Sequence, residues 1–284
     1  MKRNVIRKSS VFVLALLVVF SLVSSCAPNQ TSNSTSNDIL SRIVSAGKII
    51  VTFNTGNAPW LDKDPQTGGY KGISADLMEG FAKGIGITVE YMPLEFSSLI
   101  PAIQSGKADI IVTNLSRTVP RSTKILYTDP VGWGPGVCVF ITGGSWTADS
   151  SLTDVNKAGV TLVAVAGTVH EQVAKDKFPN ATLISVNENA DAIAALKAGR
   201  AEIMLTGLDN AGAMKAADST VDYFKQITFA DSFAYAVKLS TDSYTFIQAF
   251  NNYLRLIKLD GTYGTIYQKY FGSPWVPNNI ETGL

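Results

Sequence analysis

The sequence of 284 residues is poor in the side chains that most metal sites and disulfide-linked folds require. It contains one histidine, His170, and two cysteines, Cys26 and Cys138. A multi-histidine metal site, a four-thiolate zinc site and a disulfide-dense scaffold are therefore excluded. We expect neither a metal nor any other cofactor.

An excess of positive charge is also missing, since 24 Lys and Arg residues face 23 Asp and Glu residues. A nucleic-acid-binding domain usually carries a basic face, so we expect no nucleic-acid partner. The hydrophobic content of 46% is ordinary for a globular protein and argues against disorder.

The N-terminal segment has the pattern of a bacterial lipoprotein signal. Residues 1–10 carry four basic residues and no acid, residues 11–23 are almost entirely apolar, and small residues precede Cys26. The pattern resembles a lipobox, which predicts removal of residues 1–25 and diacylation of the Cys26 thiol. An ordinary cleavage site followed by a free cysteine is the alternative. Residues 26–37 are rich in Asn, Ser and Thr and predict a flexible tether. We expect a monomer outside the cytoplasm, anchored to the cell membrane through lipid, on the periplasmic side if the cell has an outer membrane.

An internal repeat predicts two similar α/β lobes. Residues 99–113 and 192–206 each read as a short helix, a glycine, an acidic residue and a continuous apolar strand, 93 positions apart. Continuous apolar strands suit a sheet that is covered on both faces. Chance similarity between two common helix-to-strand units is the alternative. The expected lobes are residues 38–138 with 237–284, and residues 139–236.

Polar residues follow both repeated strands. Asn114, Ser116 and Arg121 follow the first, and Gly207 and Asp209 follow the second. Open α/β sheets bind ligands outside the carboxyl ends of their strands. If the lobes face each other, these residues line one cleft from opposite walls.

Several short segments, taken together, resemble the type II solute-binding proteins of polar amino-acid ABC importers. They are Gly47-Lys48-Ile49-Ile50-Val51, Tyr70-Lys71-Gly72-Ile73-Ser74-Ala75-Asp76-Leu77, Phe96-Ser97-Ser98-Leu99-Ile100-Pro101-Ala102-Ile103, Ala108-Asp109-Ile110-Ile111, Arg117-Thr118-Val119-Pro120-Arg121, Asp129-Pro130, Asp260-Gly261-Thr262-Tyr263 and Tyr270-Phe271-Gly272. The resemblance implies the two-lobed type II periplasmic-binding-protein fold, with hinge strands crossing near residues 137–142 and 229–237. It also implies a small carboxylate ligand, such as an amino acid, and an ABC permease as partner.

The resemblance implies roles for individual residues around the ligand carboxylate. Arg121 occupies the position of the carboxylate-binding arginine, Ser116 that of a hydroxyl on the same group, and Asn114 a backbone-contact position. Gly167 and Thr168 lie in a strand-to-helix turn whose amide groups favour an anion. A surface salt bridge for Arg121 and a plain N-cap for Thr168 are the alternatives.

Other positions bear on the rest of the ligand. Phe96 and Trp60 match aromatic positions that flank the ligand side chain, although Trp60 could instead be a core residue. The family commonly holds the α-ammonium group with acids at two positions, which here read Asn54 and Gly207. Asp209 could supply the missing carboxylate if its loop bends inward. Otherwise the ligand is held differently or lacks an α-amine.

Two other functions are compatible with the same fold. Enzymes that resemble cyclohexadienyl dehydratase place a catalytic acid near the Gly-Thr turn, where this chain has His170 and Glu171. A ligand-binding sensor component is the third class. A lone histidine at a helix start is more often structural, so we expect a binding protein rather than an enzyme.

Overall fold

A computed structural model describes residues 38–275 of the chain. Cys26, the predicted signal peptide and the predicted tether lie outside the described residues, as do residues 276–284.

Thirteen strands lie within the described part of the chain. They are β1 (Lys48–Phe53), β2 (Asp62–Lys63), β3 (Tyr70–Lys71), β4 (Thr88–Pro93), β5 (Ile110–Ser116), β6 (Ile125–Tyr127), β7 (Gly132–Trp133), β8 (Gly136–Ile141), β9 (Thr161–Val165), β10 (Thr182–Val186), β11 (Ile203–Gly207), β12 (Val221–Phe229) and β13 (Ser232–Lys238).

Ten α-helices alternate with these strands between residues 38 and 275. They are α1 (Ile39–Ala46), α2 (Ile73–Gly84), α3 (Leu99–Gln104), α4 (Val119–Ser122), α5 (Leu152–Val155), α6 (Val169–Lys177), α7 (Asn189–Lys197), α8 (Leu208–Ala217), α9 (Tyr244–Leu259) and α10 (Thr262–Phe271). Short 3₁₀ turns cover Phe96–Ser98 and Thr241–Ser243.

The strands form two main sheets with the same order. The first sheet runs β4-β1-β5-β13-β6, with β7 paired to β13, and the second runs β10-β9-β11-β8-β12. In each sheet the first three strands are parallel and the next one is antiparallel to them. Strands β2 and β3 form a separate small hairpin. The expected α/β fold with two lobes is confirmed. Lobe 1 is built on the first sheet and lobe 2 on the second.

The repeated segments occupy equivalent places in the two lobes. Each gives a helix and then a strand, α3 with β5 and α7 with β11, and each strand lies between a parallel and an antiparallel neighbour. Strand β11 is buried along its whole length and β5 at all but one position. Both faces of these strands are covered, which explains their continuous apolar sequence.

Alternate residues of the second sheet enter two separate apolar cores. Cys138, Leu162 and Leu205 belong to one core, whereas Val163 and Met204 belong to the other. This division follows from the two-residue period of a strand. Burial raises the pKa of the Cys138 thiol to about 12, consistent with an unreactive core position.

The C-terminal helices return to lobe 1. Phe246, Phe250 and Leu254 lie on one face of α9, and they join Tyr263 of α10 in the core of the first sheet. The periodic apolar spacing of α9 produces this face. None of the helices between residues 38 and 275 is both long and apolar enough to cross a membrane.

The chain passes between the two sheets twice. The first passage lies between β7 and β8, at residues 133–136, and the second between β12 and β13, at residues 229–232. Gly136 pairs with Phe229 where the two passages meet, and a β-carbon at position 136 would overlap the Phe229 ring. A glycine is therefore needed for this close approach.

Candidate ligand-binding site

A cavity lies between the carboxyl ends of the two sets of parallel strands, and we call it the cleft cavity. Residues of both lobes line it, namely Asn54, Asn57, Phe96, Asn114, Ser116, Val165, Thr168, His170, Asn189, Leu205, Thr206 and Asn210. Its volume is about 40 Å³ when measured over the centres of water-sized spheres. That is room for roughly three water molecules, so the lobes are closed over it.

Three asparagines form a ring of hydrogen bonds across the cleft. The Asn57 amide donates to Asn114 Oδ1 at 2.9 Å, the Asn114 amide donates to Asn210 Oδ1 at 3.2 Å, and the Asn210 amide donates to Asn57 Oδ1 at 2.9 Å. Asn57 and Asn114 belong to lobe 1, while Asn210 lies at the start of α8 in lobe 2. Opening the cleft therefore breaks the ring.

Two further side chains extend this network within lobe 1. The Asn57 amide also donates to Thr113 Oγ1 at 2.7 Å, and the Thr113 hydroxyl donates to Asn54 Oδ1 at 2.9 Å. Thr113 and Asn57 are buried. The cleft wall of lobe 1 is thus built from neutral hydrogen-bonding groups held in fixed orientations.

Arg121 is not among the residues that line this cavity, but it contacts the lining residues Ser116 and Phe96 and bridges the lobes. Its Nη1 donates to the Ser116 carbonyl oxygen at 2.9 Å, and its Nη2 donates to the Gly167 carbonyl oxygen at 3.0 Å. The guanidinium also lies 5.4 Å from the centre of the Phe96 ring. It forms no ion pair with any of the residues from 38 to 275. Burial lowers its pKa.

Asp231 is the acidic group that influences Arg121 most directly. It lies in the second passage between the lobes, and burial raises the pKa of its carboxyl group to about 6. The Ser116 hydroxyl and the Arg121 charge act in the opposite direction and favour the ionised form. Sequence reasoning missed Asp231, because a position between two strands carries no motif.

The turn before α6 uses its polar groups internally. Thr168 caps the helix by accepting from the Glu171 amide at 3.2 Å, and its hydroxyl donates to the Val165 carbonyl oxygen at 2.6 Å. The Gly167 amide donates to Glu171 Oε2 at 2.9 Å. The structure therefore gives Thr168 the N-cap role and places it on the cavity wall, but Gly167 does not line the cavity.

His170 faces the cavity as a neutral imidazole. Burial, with a smaller contribution from the Arg121 charge, lowers its pKa to about 4. Its ring lies 5.4 Å from that of Phe229. Glu171 points elsewhere and binds the Ser185 hydroxyl at 2.6 Å and the Lys175 ammonium at 2.9 Å. The two residues therefore do not form an acid and base pair at the cavity.

Trp60 and Asp209 are not among the residues that line the cleft cavity, although the Asp209 carboxyl group lies close to Asn114 on its wall. The Trp60 indole nitrogen donates to Asp209 Oδ2, and both residues line a second cavity described below. Trp60 is 1% exposed and contacts Phe233 and Phe271 edge to face. The alternative expectation for Trp60, a core position, agrees with this packing.

No described residue that lines the cleft cavity is acidic. The two positions where the resemblance implies acids behave differently. Asn54 lines the cavity, and its oxygen is bound by Thr113. Gly207 precedes α8, and a β-carbon there would lie 2.5 Å from Asp209 Oδ1. The inward position of the Asp209 carboxylate thus leaves no room for a side chain at residue 207.

The structure unites five of the sequence-predicted residues on the cavity wall, which are Asn54, Phe96, Asn114, Ser116 and Thr168. It adds residues that the sequence did not single out, namely Asn57, Asn189, Leu205, Thr206 and Asn210. Some signal was present, because residues 54–57 follow β1 and residue 210 follows β11, and both are carboxyl ends of parallel strands.

The comparisons with known proteins agree with this geometry. Residues 49–273 match the model of the bacterial extracellular solute-binding proteins, family 3. The ABC transporter glutamine-binding protein GlnH of Bacillus subtilis is 27% identical over 272 residues, which are 92% of this chain and 96% of that protein. A probable histidine-binding protein of Campylobacter jejuni is 27% identical over 264 residues, which are 91% of this chain and 98% of that protein.

A solved structure extends the comparison. The ancestral amino acid-binding protein AncCDT-1, described as a precursor of cyclohexadienyl dehydratase, superposes with a TM-score of 0.75 and is 30% identical. The match covers 82% of this chain and 99% of that one. The chain therefore belongs to the bacterial extracellular solute-binding proteins, family 3, and is an extracytoplasmic binding protein rather than an enzyme.

Proposed function

We propose that this protein captures an amino acid, or a closely related small carboxylate, between its lobes and delivers it to the permease of an ABC transporter. Relatives that bind glutamine, histidine or arginine support the ligand class. Two of these relatives are binding proteins of ABC transporters, which supports an ABC permease as the partner.

Arg121 carries this proposal. Its guanidinium lies beside residues of the cleft cavity without a carboxylate partner among residues 38–275, and its N–H groups bind two backbone carbonyl oxygens from opposite lobes and the Tyr127 hydroxyl. Those contacts fix the plane of the guanidinium, so the remaining N–H groups can form a fork for a ligand carboxylate. Ser116 of lobe 1 and Thr168 of lobe 2 line the cavity from opposite sides, and the Thr168 hydroxyl donates to the Val165 carbonyl oxygen.

The ammonium group of an amino acid would meet only neutral acceptors in this cavity. Asn54, Asn57 and Asn114 present amide oxygens along the lobe 1 wall, and Thr206 adds a hydroxyl from lobe 2. Amide oxygens accept hydrogen bonds without supplying a counter-charge. We therefore expect weaker discrimination between amino acids and amine-free carboxylates than a buried acid would give.

Closure of the lobes is the proposed signal to the permease. Besides the asparagine ring, the Asn189 amide donates to the Gly56 carbonyl oxygen at 3.0 Å, and the Thr55 hydroxyl donates to Glu188 Oε1 at 3.2 Å. These contacts exist only when the lobes meet. A ligand that touches both lobes shifts the population toward this closed form, and the permease can then distinguish loaded from unloaded protein.

We also propose lipid anchoring through Cys26, a monomeric state and lobe boundaries at the two passages. Sheet membership supports residues 38–133 with 232–275 as lobe 1 and residues 136–229 as lobe 2, a few positions away from the sequence expectation. A Cys26→Ser variant should move from the membrane fraction to the soluble fraction of the cell.

The test is isothermal titration calorimetry of the twenty amino acids and matched amine-free carboxylates, with two arginine variants. Arg121→Ala should weaken the best ligand by about 10- to 150-fold, the worth of a charged hydrogen-bonded pair. Arg117→Ala is the matched control, because Arg117 is exposed and lies in the same segment. Equal ligand affinities of the two variants would show that Arg121 does not bind the ligand.

A further inference from the structure

A second and larger cavity lies on the other side of α8, and we call it the side cavity. Its volume is about 480 Å³ by the same measure, within the range of small-molecule sites. Lobe 1 contributes Trp60, the passage around Trp133, and Tyr270 and Phe271 of α10. Lobe 2 contributes one face of α8, from Leu208 to Ala216.

Aromatic rings dominate its walls. Trp133 is 46% exposed, and Trp60 is held edge to face against Phe271. Trp60 also donates its indole hydrogen to Asp209, which fixes the ring plane. Because Trp60 is 1% exposed, the Trp133 ring supplies the accessible aromatic face of this wall.

One acidic side chain, that of Asp209, is part of the same wall, and burial raises the pKa of its carboxyl group. None of the described lining residues is basic, and Asp209 forms no ion pair within residues 38–275. Lys269 lies nearby over the Tyr270 ring, but its ammonium binds Asp76 at 2.7 Å. The cavity thus combines aromatic faces with an acidic group that lacks a counter-charge among the described residues.

We propose that the side cavity is a second ligand site, which binds a small organic cation with apolar substituents, such as a quaternary ammonium compound. Aromatic faces attract such a cation through their quadrupole, and the carboxylate adds charge complementarity. A neutral molecule of the same shape gains only the apolar contacts. The cleft cavity, in contrast, offers amides and hydroxyls.

The two sites are coupled through α8. Asp209 faces the side cavity while its neighbour Asn210 completes the asparagine ring of the cleft cavity. An occupant that contacts both lobes in this closed arrangement favours it over any arrangement in which those contacts are separated. Coupling of this kind is reciprocal, so each ligand raises the affinity for the other by the same factor.

The experiment is a calorimetric titration of the full chain with choline and with 3,3-dimethyl-1-butanol, its neutral isostere. We expect choline to bind roughly 3- to 30-fold more tightly than the isostere, the range of a cation–π contact. Trp133→Ala should lower choline affinity by a similar factor, and Asp209→Asn should reduce the preference for choline over the isostere. Equal affinities for choline and the isostere would overturn the proposal. So would the absence of a heat signal up to about 50 mM choline, or choline binding by Trp133→Ala that equals that of the wild type.

Titration of the cleft ligand with the same proteins separates this proposal from the proposed function. Trp133→Ala without choline should bind the cleft ligand as the wild type does, because Trp133 does not line the cleft cavity. Choline at the concentration that half-saturates the wild type should tighten cleft-ligand binding more in the wild type than in Trp133→Ala. Tightening by the same factor in both proteins would refute the assignment of the coupling to the side cavity.

Discussion

Replacing Asn210 with alanine tests how much the asparagine ring contributes to closure. The side chain is 4% exposed and makes three hydrogen bonds to lobe 1. It accepts from Asn114 and donates to Asn57 Oδ1 and to the Ala58 carbonyl oxygen, the last two at 2.9 Å. All three are broken when the lobes separate, since their partners belong to the other lobe.

The expected magnitude follows from those three bonds. A net contribution of about 1 kcal/mol each gives roughly 3 kcal/mol for the closed form. Because ligand binding includes closure, Asn210→Ala should weaken the cleft ligand by about 100-fold. The melting temperature of the ligand-free protein should change little if that protein is open, because the variant side chain is then exposed to water.

Two measurements distinguish this reasoning from a local effect. Calorimetry gives the affinity, and small-angle X-ray scattering gives the fraction of closed protein at saturating ligand. Asn187→Ala is the control, because it removes a single exposed hydrogen bond between the lobes, to Glu95 at 3.0 Å. A loss of less than about fivefold for Asn210→Ala, or one no greater than in the control, would refute the assigned role of the ring.

Of three further predictions, two concern pH dependence and one concerns the start of α8. The pKa of Asp231 is raised from 3.8 to about 6, so its contribution to stability is present at low pH and is lost as the pH rises through 6. That of His170 is lowered from 6.5 to about 4, so its contribution is present above 6.5 and is lost as the pH falls through 4. In urea unfolding, the free energy of unfolding of Asp231→Asn should rise by up to about 3 kcal/mol relative to the wild type between pH 4 and 6. That of His170→Gln should rise by a similar amount relative to the wild type as the pH falls from 6.5 to 4. A pH dependence parallel to that of the wild type would contradict the pKa shift concerned. Gly207→Ala should lower the melting temperature because its new β-carbon meets Asp209 Oδ1 at 2.5 Å, and a Gly207→Ala/Asp209→Ala double variant should be no less stable than Asp209→Ala alone if that contact is the cause.

Much of the fold was predictable because its determinants are local. Apolar runs, glycines at helix ends and the 93-residue repeat indicated two α/β units, and each repeated segment forms the expected helix and strand. The carboxyl ends of the repeated strands also indicated one wall of the site. Asn114, Ser116 and Asn54 are there because the parallel strands that carry them end at the same edge of a sheet.

Which of two neighbouring residues enters the cleft was decided only by the tertiary structure. Successive residues of a helix point about 100° apart, so at the start of α8 either Asp209 or Asn210 could face the ligand. The Trp60 indole, 149 positions away in the chain, binds the Asp209 carboxylate, which lines the side cavity. Asn210 then completes the ring in the cleft. The sequence by itself determined two lobes and a polar cleft between them. Packing between distant segments determined that the described wall of this cleft is neutral and that the acid lies in a second, aromatic cavity.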